Sequence, residues 1–237
     1  MDEFKFKITS QLLTKTKNNN LIHYWSWNNS KICSSPILFI GGVHGDEPEG
    51  VWLAETLLIW LKSFEFKKQL DHLNSFILVP CLNPDGFLKN QRVNGNGVDL
   101  NRNFPTPDWC KDFKADRYFP GEKPASEIET TALINLIDQY KPSLIIHFHS
   151  WKPYIIYTGN DAKKLTELIS SITTYPAQDD IGYPTPGSIG QYGWFNKKTP
   201  VICFEELEGT PHSHIWNRWQ KVLKIIMYKK LLKTFLK

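Results

Sequence analysis

Short, mostly apolar runs alternate along the chain with longer stretches in which apolar residues recur every three or four positions, so strands and helices are predicted in turn. Pro36-Ile37-Leu38-Phe39-Ile40, Phe76-Ile77-Leu78-Val79, Ser143 to Phe148 and Pro200-Val201-Ile202-Cys203-Phe204 have strand length. Such continuous runs mark strands buried on both faces of a parallel or mixed sheet. Leu21 to Trp27 alternates weakly and reads as an early edge strand, after a polar loop ending in Asn18-Asn19-Asn20. Helical spacing first appears at Val51, Ala54, Leu57, Leu58 and Leu61. Pro48 suits the first turn of that helix, and Asp46 and Glu47 suit its N-terminal dipole. Ser126 and Glu129 have capping-box spacing before Leu133, Leu136, Ile137 and Tyr140, with Pro142 as the stop. Residues 161 to 173 read as a helix, and a last one begins near Pro211 and buries Ile215, Trp219, Val222 and Ile226. Asn83 to Pro107 is rich in Gly and Asn and reads as one long loop, a kind of segment that often carries function.

Buried strands separated by helices predict an α/β fold. The expected architecture is a single domain over residues 1–237, with a mixed, mostly parallel twisted sheet and helices on both faces. Ligands in such folds gather at the C-terminal ends of the strands. Composition supports this reading: 41% hydrophobic and 22% charged residues exclude a disordered, collagen-like or coiled-coil chain. No apolar run approaches the roughly 18 residues of a membrane helix. The start, Met1-Asp2-Glu3-Phe4-Lys5, lacks the basic and apolar segments of a secretory signal, so a soluble cytoplasmic protein is expected. Cys33, Cys81, Cys110 and Cys203 form no C-x-x-C pair and read as reduced, structural thiols. The net charge of +4 owes much to nine lysines and arginines after Asn196, most of them expected on the solvated face of the last helix. Neither a nucleic-acid nor a membrane partner is expected, and the oligomeric state is not legible.

Each buried strand delivers polar chemistry at its C-terminal end: His44 and Glu47 after the first, the loop from Asn83 after the second, His149 on the third and Glu205 on the fourth. Two imidazoles and a carboxylate are a donor set that zinc takes in catalytic sites, with one position left for water. His-x-x-Glu alone is common on surfaces, but here it sits in Gly41-Gly42-Val43-His44-Gly45-Asp46-Glu47. His147 and His149 share a face by strand alternation, so the period of two does not choose between them. Glu205 and Glu206 point to opposite faces, and Val201, Cys203 and Glu205 share one. Arg92 and Arg102 in the long loop offer guanidinium forks for a carboxylate or an oxyanion.

These residues resemble the zinc carboxypeptidase family in matching order. The resemblance runs over about residues 36–210 through Gly41 to Glu47, Asn83-Pro84-Asp85-Gly86, Arg92, Gly97 to Phe104, Ser126-Glu127, the His149 strand and Pro200 to Glu205. Asp99-Leu100-Asn101-Arg102-Asn103-Phe104-Pro105 is its most specific string. The short chain and Gly182-Tyr183-Pro184-Thr185-Pro186-Gly187-Ser188 look most like the branch that cuts the γ-D-glutamyl to diaminopimelate amide of murein tripeptide in peptidoglycan recycling. The resemblance implies one zinc ion per chain held by His44, Glu47 and His149, with Asp99 orienting His44. It further implies Glu205 as the base, Arg92 on the oxyanion, and Asn101, Arg102 and Tyr183 on a substrate carboxylate. Among the histidines the family pattern favours His149, which is followed by Ser150, an aromatic and Tyr157. The family's Pro-to-Glu interval lands on Glu205, whereas its Glu-Leu dipeptide lands on Glu206. The implied reaction is hydrolysis of an amide in a small peptide. Asp179, Asp180 and Gln191 are loop candidates for reading the diaminopimelate side chain. The alternatives are a carboxypeptidase of other specificity and an N-acyl amino acid deacylase of the aspartoacylase or succinylglutamate desuccinylase kind.

Overall fold

The computed structural model describes residues 7–28, 35–63 and 72–228, together with 232 and 234, so Cys33 lies outside the described residues. Eight strands form one sheet: β1 (Thr9–Lys15), β2 (Leu21–Trp27), β3 (Ile37–Ile40), β4 (Phe76–Val79), β5 (Leu144–Trp151), β6 (Tyr154–Thr158), β7 (Ala177–Gln178) and β8 (Val201–Leu207). Their order is β1-β2-β4-β3-β5-β8-β6-β7. The four apolar runs form its parallel centre, β4-β3-β5-β8. Antiparallel β1 and β2 flank one side, and β6 runs antiparallel to β8 on the other. β2 is therefore not an edge strand: β1 pairs along it and takes the edge.

Strand alternation divides the core in two. Ile37, Phe39, Ile146, Phe148, Ile202 and Phe204 face one way, beneath α1 (Pro48–Lys62), α4 (Lys163–Thr173) and α6 (His212–Met227). Leu38, Ile40, Ile145 and Val201 face the other way, against α3 (Ile128–Tyr140) and the short turn α5 (Ile189–Gln191). Trp219 of α6 is fully buried and stacks on Phe204, with ring centroids 4.4 Å apart. Burying so large a ring contributes more than any smaller core residue can. Pro48 opens α1, and the absence of a side chain at Gly50 lets that helix approach β5, where an added Cβ would meet Phe148 O at 2.4 Å.

Two local expectations change. Inside the long loop, Pro84–Lys89 forms a short helix, α2, capped by the Asn83 side chain on Gly86 N. The predicted capping box before α3 does not form. Ser126 Oγ instead donates to Glu127 Oε1 and accepts from Asn103 Nδ2, while Glu129 Oε2 accepts from Asn94. Buried asparagines of the long loop claim these groups, and loop packing outcompetes the local cap. Among the described residues no helix is long and apolar enough to cross a membrane.

Candidate active site

The C-terminal ends of β3, β5 and β8 lie side by side, so their terminal side chains converge. In the parallel β5–β8 ladder, His147 stands opposite Cys203 and His149 opposite Glu205. All four are buried on the α3 and α5 side of the sheet. His44 hangs from the loop after β3, and Glu47 is the residue before α1. His44 Nδ1 lies 2.7 Å from Glu47 Oε1, His149 Nδ1 lies 2.7 Å from Glu47 Oε2, and the two Nδ1 atoms are 3.0 Å apart. Two imidazole nitrogens and a carboxylate thus share one point. Such a set fits a divalent zinc ion, and the far side of His44 fits it as well, because Nε2 faces Asp99 Oδ1 at 3.1 Å. A carboxylate accepting from Nε2–H leaves the Nδ1 lone pair free for a metal.

Asp99 is fully buried and also receives Arg92 Nε at 2.9 Å and Asn101 N at 2.9 Å. Burial opposes its charge, but Arg92 and His44 outweigh burial and hold its carboxyl below the usual carboxylate range. Glu47 behaves likewise: burial works against ionisation, and the imidazoles of His44 and His149 keep its carboxyl well below that range. Arg92 Nη1 reaches Glu47 Oε1 at 3.4 Å, and its guanidinium lies over the Tyr118 ring. Glu205 is the contrast. Burial, then the charge of Glu47, pushes its carboxyl up to about 8.

His44, Glu47, Arg92, Asn101, Arg102, His149, Tyr183 and Glu205 all line one cleft of about 500 Å³, with Asp99 behind it. Asn101 Oδ1 accepts from Ile189 N, which leaves its NH2 group as a donor, and Arg102 Nη1 donates to Asn101 O at 2.7 Å. Tyr183 is partly exposed and its ring meets Trp151 edge-on. Beyond Arg102, Tyr118 and Tyr183 a second hollow of about 390 Å³ opens against Phe113, Lys114 and Pro186. Of the Gly182 loop and its flanks, Ile181 and Thr185 line the cleft, whereas Asp179, Asp180 and Gln191 do not. Trp151, one of the tryptophans numerous enough to suggest an aromatic-lined cleft, is on the wall, and Tyr118 and Ser150, which sequence reasoning did not place in the site, complete it. Ser150 N donates to Glu47 Oε2, a backbone contact that no residue pattern announces.

Glu206 points to the opposite face. It is buried against α6 and accepts from Trp219 Nε1 at 2.8 Å, Arg218 Nε at 3.1 Å, Thr210 Oγ1 at 3.1 Å and the Tyr175 hydroxyl. Glu206→Ala leaves buried donors on Trp219 and Tyr175 unsatisfied, at about 1–3 kcal/mol each. Denaturant unfolding is expected to show a loss of roughly 2–5 kcal/mol, while kcat per folded molecule stays near that of the parent. Gly187 is a second structural dependency. Its φ is +70°, and an added Cβ would lie 2.2 Å from Arg102 O. Phe104 N and Thr106 Oγ1 both bond its backbone, tying the Tyr183 loop to the Arg102 loop. Gly187→Ala therefore combines left-handed strain of about 1–2 kcal/mol with a backbone clash beside Arg102. A lower thermal midpoint together with a raised KM is the expected signature.

The sequence pattern of the zinc carboxypeptidases matches residues 8–200. The chain belongs to the zinc carboxypeptidase family. Within the family it is similar to murein peptide amidase A of Escherichia coli strain K12, at 34% identity over 166 residues, covering 65% of this chain and 64% of that protein. The chain thus aligns with just under two thirds of that relative's length. Murein peptide amidase A of Vibrio campbellii is 29% identical over 180 residues, covering 71% and 68%. In three dimensions the chain is similar to murein-tripeptide amidase from Escherichia coli O157, with a TM-score of 0.72 at 23% identity over 92% of this chain and 93% of that one. Bovine thrombin-activatable fibrinolysis inhibitor gives 0.79 at 17% identity, over 96% and 90%. The family fold therefore extends across the sheet as described, including the strands on either side of the parallel centre.

Proposed function

We propose that this protein is a zinc-dependent amidase that cleaves the γ-D-glutamyl to diaminopimelate bond of murein tripeptide in the cytoplasm, as a step of peptidoglycan recycling. The observation that carries the reading is the convergence of His44, Glu47 and His149 on one point, with Glu205 opposite His149 on the neighbouring strand. The names of the murein peptide amidases, which align over 166 and 180 residues, support the choice of substrate.

His44, Glu47 and His149 would hold one catalytic zinc ion, which when bound acidifies water and polarises the scissile carbonyl. Asp99 keeps the His44 tautomer that presents Nδ1. Glu205 takes a proton from the attacking water and returns it to the leaving amine. Arg92 lies largely buried at the cleft wall and directs its guanidinium to the negative charge that develops on the carbonyl oxygen. Asn101 and Arg102 grip the carboxylate of the amine-side residue through a planar fork beside an amide donor. Tyr183 closes over the substrate from the loop above.

The deciding experiment is mass spectrometry of products from L-Ala-γ-D-Glu-diaminopimelate, with a chelated sample as control. Free diaminopimelate that disappears on chelation is the expected result. A zinc-containing protein that releases none overturns the substrate and directs attention to carboxypeptidase and N-acyl amino acid substrates. A folded protein that binds no zinc overturns the metal site itself.

A further inference from the structure

Two recesses open off the catalytic cleft beside Asn101, Arg102 and Tyr183, where the leaving residue would sit. One is a hollow of about 60 Å³ that shares Asn101 and Glu205 with the cleft and ends against His147 and Cys203. That volume is about the share of two water molecules. The other, of about 390 Å³, shares Arg102, Tyr118 and Tyr183 with the cleft and takes in Asp112, Phe113 and Lys114. The larger recess has room for a long side chain, and the smaller one does not.

The segment that walls the larger hollow is anchored at several points. Trp109 N donates to Thr106 O, and the Phe113 ring meets Phe119 edge-on, with centroids 5.2 Å apart. Two of its cations are already paired, Lys111 with Glu122 at 2.7 Å and Arg117 with Asp46 at 3.1 Å. Asp112 and Lys114 line the hollow, and their charged groups have no ion-pair or hydrogen-bond partner among the described residues. Between them in sequence Phe113 is 44% exposed, and Pro184 and Pro186 add apolar surface to the same hollow. An apolar wall with one unmatched carboxylate and one unmatched ammonium complements a side chain that is apolar along its length and zwitterionic at its end.

We propose that this hollow is the subsite for the side chain of the leaving residue, with Lys114 meeting a distal carboxylate and Asp112 a distal ammonium. The inference rests on the proposed amidase reading, in which the leaving residue is diaminopimelate. Its α-carboxylate sits on Arg102, which cleft and hollow share, and three methylene groups carry the second amino-acid centre past Phe113. A lysine side chain lacks the distal carboxylate, so it leaves Lys114 unmatched and sets a second ammonium beside it. A 2-aminopimelate side chain lacks the distal ammonium, so it leaves Asp112 unmatched beside a like charge. Asp179, Asp180 and Gln191 do not line this hollow, and the segment that carries Asp112 and Lys114 takes the role expected of them.

The test is hydrolysis, by the zinc-loaded full chain, of L-Ala-γ-D-Glu peptides ending in meso-diaminopimelate, lysine or 2-aminopimelate. kcat/KM is expected to be about tenfold higher for the diaminopimelate peptide than for either analogue. Lys114→Met should abolish the preference over lysine and keep the preference over 2-aminopimelate, and Asp112→Asn should do the reverse. Damage to the fold lowers all three peptides together, so the crossed ratios report recognition. Equal kcat/KM values in the parent, or a ratio that its substitution leaves unmoved, overturn the proposal. A chain that cleaves none of the peptides fails the amidase reading instead, and calorimetric affinities for the uncleaved peptides then decide the hollow. The same crossed preferences in binding support it, and equal or unmeasurable binding overturns it.

Discussion

Glu205→Gln is expected to bind zinc as the parent does and to lose about 10³-fold in kcat. The side chain keeps its shape and its place opposite His149, but a carboxamide takes no proton from water. KM should change little, because the side chains proposed to grip the substrate carboxylate are on other segments. Single-turnover kinetics on the tripeptide, with metal content measured on the same sample, checks both halves. If Glu205→Gln remains active, the base lies elsewhere. The same variant carries a pH signature in the metal-free chain. The folded protein raises the Glu205 carboxyl from an ordinary 4.5 to about 8. Between those values the folded state holds a proton that the unfolded state has lost, so stability falls as pH rises across the window. Glu205→Gln has no proton to lose there. Its unfolding midpoint is expected to be flatter between about pH 5 and 8 than that of the parent.

Asp99→Asn should weaken zinc affinity by about 10–100-fold and destabilise the metal-free fold by roughly 3–5 kcal/mol. Both effects come from one buried carboxylate that serves an imidazole and a guanidinium. Its Oδ1 faces His44 Nε2, and its Oδ2 receives Arg92 Nε at 2.9 Å. With a neutral amide in place, nothing requires His44 to keep the proton on Nε2, and a largely buried guanidinium is left with Glu47 at 3.4 Å as its ion-pair partner among the described residues. Chelator competition gives the first number and urea unfolding of stripped protein gives the second. A variant that loses stability while holding zinc normally would separate the two roles and remove Asp99 from the metal centre.

The parallel centre of the sheet was legible because buried strands must be apolar on both faces, and Phe76-Ile77-Leu78-Val79 has no other stable use at that length. The flanking strands were not. Tyr154–Thr158 and Ala177–Gln178 are short and carry mixed polarity, and they become strands through pairing with β8 and with each other rather than through their own pattern. The same holds for the cap of α3, where Ser126 answers to Asn103 across a loop instead of to its own helix. At the site, alternation separated Glu205 from Glu206, and the structure points them to opposite sides of the sheet. Alternation could not separate His147 from His149, which share a face. Their difference arises from height along β5, because only His149 reaches the level of His44 and Glu47. The wall supplied by Tyr118 depends on how the turn at Asp116–Tyr118 folds over the cleft, and no spacing rule encodes that.

Because the β5–β8 ladder sets His149 across from Glu205, the interval between the proposed metal ligand and the proposed proton-transfer group is fixed by backbone hydrogen bonding in the middle of the sheet. The groups proposed to select the substrate, Asn101, Arg102 and Tyr183, stand instead on irregular segments pinned to one another through Ile189 and Gly187. Reactivity and selectivity are in this way built as separable modules. Loop lengths can drift or be exchanged to admit new leaving groups while the reacting atoms keep their spacing, and one scaffold can serve many diets.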